Sequence, residues 1–352
     1  MNENESRESD VSILSAHDID TNLLIDFYRS VYPKRMNSLP RIWKWLNRSS
    51  YFDNQIPLVI LHKNRIVAHA GLIPFKFLLD GEYHSACWFI DFVVPQEFQR
   101  RGLGYFIQGK RMEFSDVSLG FPTEISCKLY SKIGFCESFK TNLLFYLLLP
   151  FNHPRFADSI PGVCRKLLNV SSRSFLSFNY HRYASPVDNL RFDDLNLNLL
   201  NKAISFYKIE QSATVEPVRD SEYISWRLLD SPDRRKYRIV RMDGVDDVSI
   251  IVKLCDNRPH LYIDILWLSN PTQHAEVRNL IATLAIWGLR QGYSYIRHYV
   301  SSKEHSSFLS RSLKAIVRHP RLMFYSKNPE LFQKLKDSNW HWDLMDSDFE
   351  EF

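Results

Sequence analysis

Residues 91–110 read DFVVPQEFQRRGLGYFIQGK. Apolar and β-branched residues run to Val94, polar ones follow to Arg101, and an apolar helical pattern begins at Leu103. Between strand and helix lies Gln99-Arg100-Arg101-Gly102-Leu103-Gly104. Without a Cβ at 102 and 104, successive backbone N–H groups can turn inward around an anion. The positive N-terminal end of the helix points at the same spot, and Arg100 and Arg101 add side-chain charge. The stretch is built as a phosphate cradle. It is not the dinucleotide fingerprint, whose third glycine would fall at Ile107. Nor is it a Walker A loop, which needs four residues between its glycines and a following Lys-Ser/Thr.

Glycine usage points to the same region. The chain has 352 residues and 11 glycines, about 3% against a usual figure of roughly 7%. Five of them (Gly102, Gly104, Gly109, Gly120 and Gly134) fall within 33 residues. Hydrophobic residues at 45% and charged residues at 24% exclude a disordered, collagen-like or disulfide-framework chain. A net charge of +5 is too mild to argue for nucleic acid. Cys87, Cys127, Cys136, Cys164 and Cys255 are scattered, with no CxxC pair. They read as reduced thiols, with no metal site. The polar start MNENESRESD is no secretory signal. The longest apolar stretch, Leu143–Phe151, is interrupted by Pro150 and falls short of the ~20 residues of a membrane span. The expectation is a soluble, cytoplasmic protein.

Working outward from the loop, apolar spacing predicts helices at Asn22–Tyr32 and Leu39–Leu46 after a flexible lead-in over 1–18. Strands follow at Leu58–His62, Ile66–Leu79 and Tyr83–Val94, separated by tight turns at Lys63-Asn64 and Asp80-Gly81, as in an antiparallel meander. Next come a helix at Leu103–Ser115, a strand at Val117–Phe121, a helix at Thr123–Ile133, and a strand pair or long strand over Ser138–Leu149. This is one α+β domain over 19–150. Residues 151–190, with a basic amphipathic segment around Val163–Val170, read as a connector packed on one of the domains. Residues 191–352 repeat the element order, with strand material at Lys314–Tyr325, although no residue-level repeat is visible.

The string Val94-Pro95-Gln96-Glu97-Phe98-Gln99-Arg100-Arg101-Gly102-Leu103-Gly104 resembles the acyl-CoA motif of the GNAT superfamily of N-acetyltransferases, V-x-P-x-[YF]-Q-x-R-G-x-G. It departs only at Gln96, where the family usually has proline. Leu129-Tyr130-Ser131-Lys132-Ile133-Gly134-Phe135 resembles the superfamily's later motif, [LV]-Y-x-K-x-G-F. The two cover about residues 20–150. The resemblance implies two GNAT-like mixed sheets flanked by helices, the first with an intact acyl-CoA loop, and acetyl-CoA as co-substrate. It also implies that the Gln99–Gly104 amides hold the pyrophosphate, while Phe92, Val93 and Val94 pair with the pantetheine arm as an added strand would.

Acetyl transfer from a thioester to an amine needs a neutral amine, a donor to the carbonyl oxygen and a proton for the departing thiolate. By resemblance, Tyr130 supplies that proton and the Val93 or Val94 amide faces the carbonyl. Asp91, amid Phe89, Ile90, Phe92 and Val93, is the candidate base, since a lone carboxylate there would hold its proton more tightly. The other reading of Asp91 is a structural carboxylate bonded to a neighbour. His69 and His84 are lone strand histidines. Cys127 would need a base partner to act as a nucleophile, so direct ternary-complex transfer is expected.

In the second half, WLSNPTQHAEVRNL stands where a second cradle would fall. It has no glycine and no paired arginines, and Pro271 lacks an amide donor. This copy reads as degenerate, closing the acceptor site or mediating homodimerisation. The acceptor is expected to be a primary amine of a small-molecule or sugar-linked compound. A hydroxyl acceptor and a longer acyl chain stay open. The alternatives are a non-catalytic acyl-CoA sensor or scaffold and an aminoacyl-tRNA-dependent transferase of the peptidoglycan-bridge type. The surviving Tyr130 opposes the sensor, and the intact CoA loop opposes the tRNA-dependent enzyme.

Overall fold

The computed structural model describes residues 11–15, 19–33, 35–36, 39–47, 58–138, 141–152, 160–205, 214–245, 247–256 and 261–346. Residues 1–10 and 16–18 of the lead-in and the acidic end at 347–352 lie outside the described residues. Strand β1 (Val11–Ser15) falls within the stretch expected to be a flexible lead-in, and pairs antiparallel with β2 (Leu58–His62). Between them stand α1 (Thr21–Val31) and α2 (Leu39–Asn47). The Asp20 carboxylate starts α1 by accepting from the Asn22 amide at 2.9 Å, as an N-cap does. β3 (Arg65–Leu79) and β4 (Glu82–Val93) complete the meander. Lys63-Asn64 and Asp80-Gly81 take the left-handed φ that tight hairpin turns require. α3 (Leu103–Arg111), β5 (Val117–Gly120), α4 (Glu124–Lys132), β6 (Cys136–Glu137) and β7 (Asn142–Leu147) follow.

The rest of the chain runs α5 (Gly162–His181), β8 (Leu190–Asp194), α6 (Leu197–Ser205), β9 (Thr214–Pro217) and α7 (Ser221–Ile224), which passes into a π-helical turn. Then come β10 (Tyr237–Met242), β11 (Ser249–Cys255), β12 (Tyr262–Leu268), α8 (His274–Gln291), β13 (Tyr295–Val300) and α9 (Lys303–Leu313). The chain ends in β14 (Ile316–Arg318), β15 (Met323–Ser326), α10 (Pro329–Asp337) and β16 (Asn339–Trp340).

Two mixed sheets result. The first has the order β1-β2-β3-β4-β5-β15-β6, with β9 joining β3 and β16 joining β9; the second has the order β8-β10-β11-β12-β13-β7-β14. The two orders correspond place by place, including one parallel step each, β4 with β5 and β12 with β13. The sixth place is exchanged: β15 from the second half fills it in the first sheet, and β7 from the first half fills it in the second. Of the strand pair or long strand expected over Ser138–Leu149, one strand forms, β7, and it joins the second sheet, with β6 lying just before that span. The strand material after Lys314 is split, β14 joining the second sheet and β15 the first. Sheet membership crosses the division expected near residue 150.

Helices cover both faces of the first sheet. Leu24, Phe27 and Tyr28 of α1 pack on Val59 and Ile66, while Ile107 of α3 packs on Leu58, Ile60 and Ala68 from the other side. A further core containing Phe75, Trp88, Trp226, Trp267 and Trp342 joins the halves. Within it the Trp45 indole donates to the Trp226 carbonyl at 2.8 Å and the Trp226 indole to the Trp45 carbonyl at 3.2 Å. Among the described residues no helix is long and apolar enough to cross a membrane.

Candidate functional site

β4 lies beside β5 only from Ala86 opposite Val117 to Trp88 opposite Leu119. From Phe89 to Val93 it has no strand neighbour on that side among the described residues. On the other side its register with β3 slips: Gly71 faces Ile90, but His69 faces Val93. The extra residue is a bulge, with Asp91 at φ 45°, a feature that locally bends and twists a strand. β5 ends at Gly120, so β4 runs on alone along that side toward the phosphate loop.

Buried polar groups hold this bulge. Arg111, fully buried on α3, donates through Nη2 to the Gly71 carbonyl and to the Ile90 carbonyl at 3.3 Å. Its Nη1 donates to Gln108 Oε1 at 3.0 Å, and its guanidinium lies 3.9 Å from the Phe89 ring centre. Burial pulls the Arg111 pKa down to about 10, against the attraction of Tyr130, Cys87 and Asp91. His69 Nδ1 donates to the Asp91 carbonyl at 2.8 Å, which leaves Nε2 to accept from the Tyr28 hydroxyl at 3.0 Å. Burial lowers the His69 pKa, so the ring is neutral.

Asp91 is not the lone carboxylate expected there. Its Oδ1 accepts from Arg35 Nη1 at 2.8 Å, with the two side chains only 11% and 22% exposed. The ion pair matches the other reading of Asp91, a structural carboxylate bonded to a neighbour. The pairing was out of reach of local reading because Arg35 lies 56 residues upstream. Arg111 was missed as well. It follows Ile107 by four residues and so shares its inward face, which was the one available signal.

After β4, a short 3-10 turn at Gln96–Phe98 leads into the loop. Arg100 (φ 64°) and Gly102 (φ 81°) are both left-handed, and Gly102 is the N-cap of α3 with no side-chain cap. The turn thus leaves the first amides of α3 without a capping side chain, as an anion site needs. The Gln99 side chain donates through Nε2 to the Val94 carbonyl at 2.9 Å, tying loop to strand. Arg101 folds back, donating to the Glu97 carbonyl at 3.1 Å and lying 5.4 Å from the Phe98 ring centre. Arg100 and Gly102 are exposed. Gly104 serves close packing: a Cβ there would stand 3.4 Å from Phe92 and 3.8 Å from Leu129. Leu103 packs with Phe92 and Val94 against Ile107.

Tyr130 lies on α4, buried against Phe135 at 4.7 Å and edge-on to Phe89 at 6.2 Å between ring centres. Its hydroxyl meets the end of β5 at Gly120. Thr123 caps this helix by accepting from the Ser126 amide at 3.4 Å. Gly134, just past the C-cap Ile133, takes φ 95°, the conformation for which glycine suits a helix end. Among the described residues no group of three or more His, Cys, Asp or Glu could hold a metal ion.

No protein-family model and no curated protein matches the sequence. Solved structures do resemble it. A GCN5-related N-acetyltransferase from Kribbella flavida superposes with a TM-score of 0.54 at 14% identity, covering 90% of this chain and 72% of the other. A GCN5-related N-acetyltransferase from Anabaena variabilis gives 0.57 at 10% identity, over 90% and 73%. The fold is that of the GNAT superfamily. Saccharomyces cerevisiae N-myristoyltransferase with bound myristoyl-CoA gives 0.55 at 11% identity, over 95% and 84%. The GNAT likeness therefore spans both halves, consistent with two mixed sheets of corresponding order.

The second GNAT-like sheet differs at the loop position. Between β12 and α8 no residue has positive φ, and Gln273 precedes the helix without a side-chain cap. The chain's C-terminal segment packs there. His341, Trp342 and Asp343 meet His298 and His305 around a void of about 20 Å³, room for roughly one water.

Proposed function

We propose that the protein is an acyltransferase moving an acetyl group from acetyl-CoA to a primary amine of a small-molecule or sugar-linked acceptor. The observation that carries this reading is one constellation: a left-handed Arg100/Gly102 turn entering α3, an open edge on β4, and Tyr130 at the end of β5. The exposed loop amides and Arg100 hold the pyrophosphate, and Phe92, Val93 and Val94 offer backbone to the pantetheine arm. Bound there, acetyl-CoA supplies an activated carbonyl and a thiolate leaving group. The amine nitrogen bonds to the carbonyl carbon as the carbon–sulfur bond breaks. Sulfur keeps the electron pair and receives the Tyr130 proton, while the amine proton leaves to water. The Val93 or Val94 amide donates to the carbonyl oxygen as charge builds.

The buried Arg111 cation stabilises the phenolate left by Tyr130. In this reading Asp91 positions rather than reacts, pinning the bulge through Arg35 and His69. The second half, its gap filled, completes the first sheet with β15 and does not hold CoA. The test is CoA release over a panel of amines with wild type and Tyr130→Phe. Turnover should fall at least about ten-fold in the variant, with acetyl-CoA affinity by calorimetry unchanged. Tight acetyl-CoA binding without turnover on any amine would support the sensor instead; no binding would remove the reading.

A further inference from the structure

Helix α5 carries most of its large apolar side chains on the outside. The basic amphipathic segment around Val163–Val170 is expected to belong to a connector packed on one of the domains. In the structure α5 packs through Asn169, Tyr180 and the half-buried Leu176, and the apolar residues of that segment stay exposed. The buried residues of α5 are Asn169 and Tyr180. Asn169 accepts from the Phe151 amide at 3.1 Å and donates to Asn152 Oδ1 at 2.8 Å, and the Tyr180 hydroxyl donates to the Leu147 carbonyl at 2.8 Å. Facing out are Val163, Leu167, Leu168, Val170, Phe175 and Phe178, exposed by 73, 66, 41, 67, 68 and 75%. At the turn of an α-helix these six span a sector about 160° wide. Lys166 and Arg173, both exposed, stand together beside one border of that sector. From 160 to 187 the chain has Arg165, Lys166, Arg173 and Arg182 and no Asp or Glu.

We propose that α5 is a membrane-surface helix that lays its apolar side into the interface of an anionic bilayer. A face of large apolar side chains, with Ser171, Ser174 and His181 as the polar residues in its sector, bordered by cations on a helix that does not span, is the pattern of interfacial binding. Charge selects this occupant. Anionic headgroups complement the border cations, whereas a second copy would bring the same cations against them. The proposal is independent of the acyl-transfer reading, since α5 lies outside that site.

The test is cosedimentation of the full chain with vesicles of phosphatidylcholine mixed with phosphatidylglycerol, against phosphatidylcholine alone. Binding should require the anionic lipid and weaken as salt rises. Phe175→Ser with Phe178→Ser should weaken it at least about ten-fold. Lys166→Gln and Arg173→Gln should each weaken it about five-fold. All four side chains are exposed, so unchanged thermal melting is the control for folding. No binding to anionic vesicles, or binding that ignores both pairs of variants, overturns the proposal. So does a lipid-free dimer that the phenylalanine pair dissolves, which would assign the face to a second copy.

Discussion

The Tyr130 ring lies so close to Gly120 that a β-carbon there would stand 2.9 Å from Cε2 and 3.2 Å from the hydroxyl oxygen. The end of β5 therefore sets where the phenol sits, and Phe135 and Phe89 close the ring in. Gly120→Ala must push the ring aside, overpacking that lowers stability by about 1–3 kcal/mol. It leaves the phosphate loop untouched. Turnover should fall at least about ten-fold, with acetyl-CoA affinity by calorimetry near wild type. Unchanged turnover in a destabilised variant would show that the Tyr130 position does not matter to the reaction.

Gly102 and Gly109 separate the two uses of glycine in this region. A Cβ on either meets nothing within 4 Å, but only Gly102 has positive φ. Gly102→Ala should therefore cost about 1 kcal/mol through backbone strain. Gly102→Asp should in addition abolish acetyl-CoA binding by placing a carboxylate at the pyrophosphate. Gly109→Ala, inside α3, should stabilise by roughly 0.5–1 kcal/mol and leave affinity unchanged. Thermal melts with calorimetry decide, and unchanged affinity in Gly102→Asp would refute the cradle.

The loop was legible because its determinants are local. Turn glycines, the apolar run of β4 and the period of α3 all lie within 20 residues of one another. The meander turns at Lys63-Asn64 and Asp80-Gly81 were legible for the same reason. What escaped depends on partners distant in sequence. Asn142–Leu147 is apolar on both faces and pairs as well with β13 as with a neighbouring strand, so nothing in it declares the exchange. Asp91 looks alone until α1 ends at Val31 and brings Arg35 beside it. Arg111 shows only an inward helical position in the sequence, and its role needs the carbonyls that β3 and β4 supply.

The exchange of β7 and β15 predicts that neither half folds by itself. A fragment ending near residue 160 lacks β15, which pairs with both β5 and β6. It also leaves β7 without β13 or β14, exposing Leu144 and Tyr146, which are fully buried in the whole chain. Unpaired apolar edges of this kind aggregate. The fragment should be insoluble or lack a cooperative melt. A soluble, monomeric fragment that unfolds cooperatively by circular dichroism would show that β15 is dispensable.

Stability should fall as pH drops below neutrality, and the sign follows from four histidines. Burial lowers the pKa of His69, and brings His298 to about 3, His305 to about 4 and His341 to about 3. Each is neutral when folded, while the unfolded chain protonates near pH ~6.5. The stability each contributes is thus present above ~6.5 and lost as pH falls toward the folded value, by up to about 1.4 kcal/mol per pH unit. Asp343 and Glu216 act in the opposite direction, because burial raises both, Asp343 to about 8. Their contribution is lost as pH rises. Four groups against two leaves the histidines dominant between about pH 6.5 and 5. Urea unfolding at the two ends of that window should show the loss, and His298→Gln should reduce it. Equal stability at both ends would mean that the folded state accepts these protons.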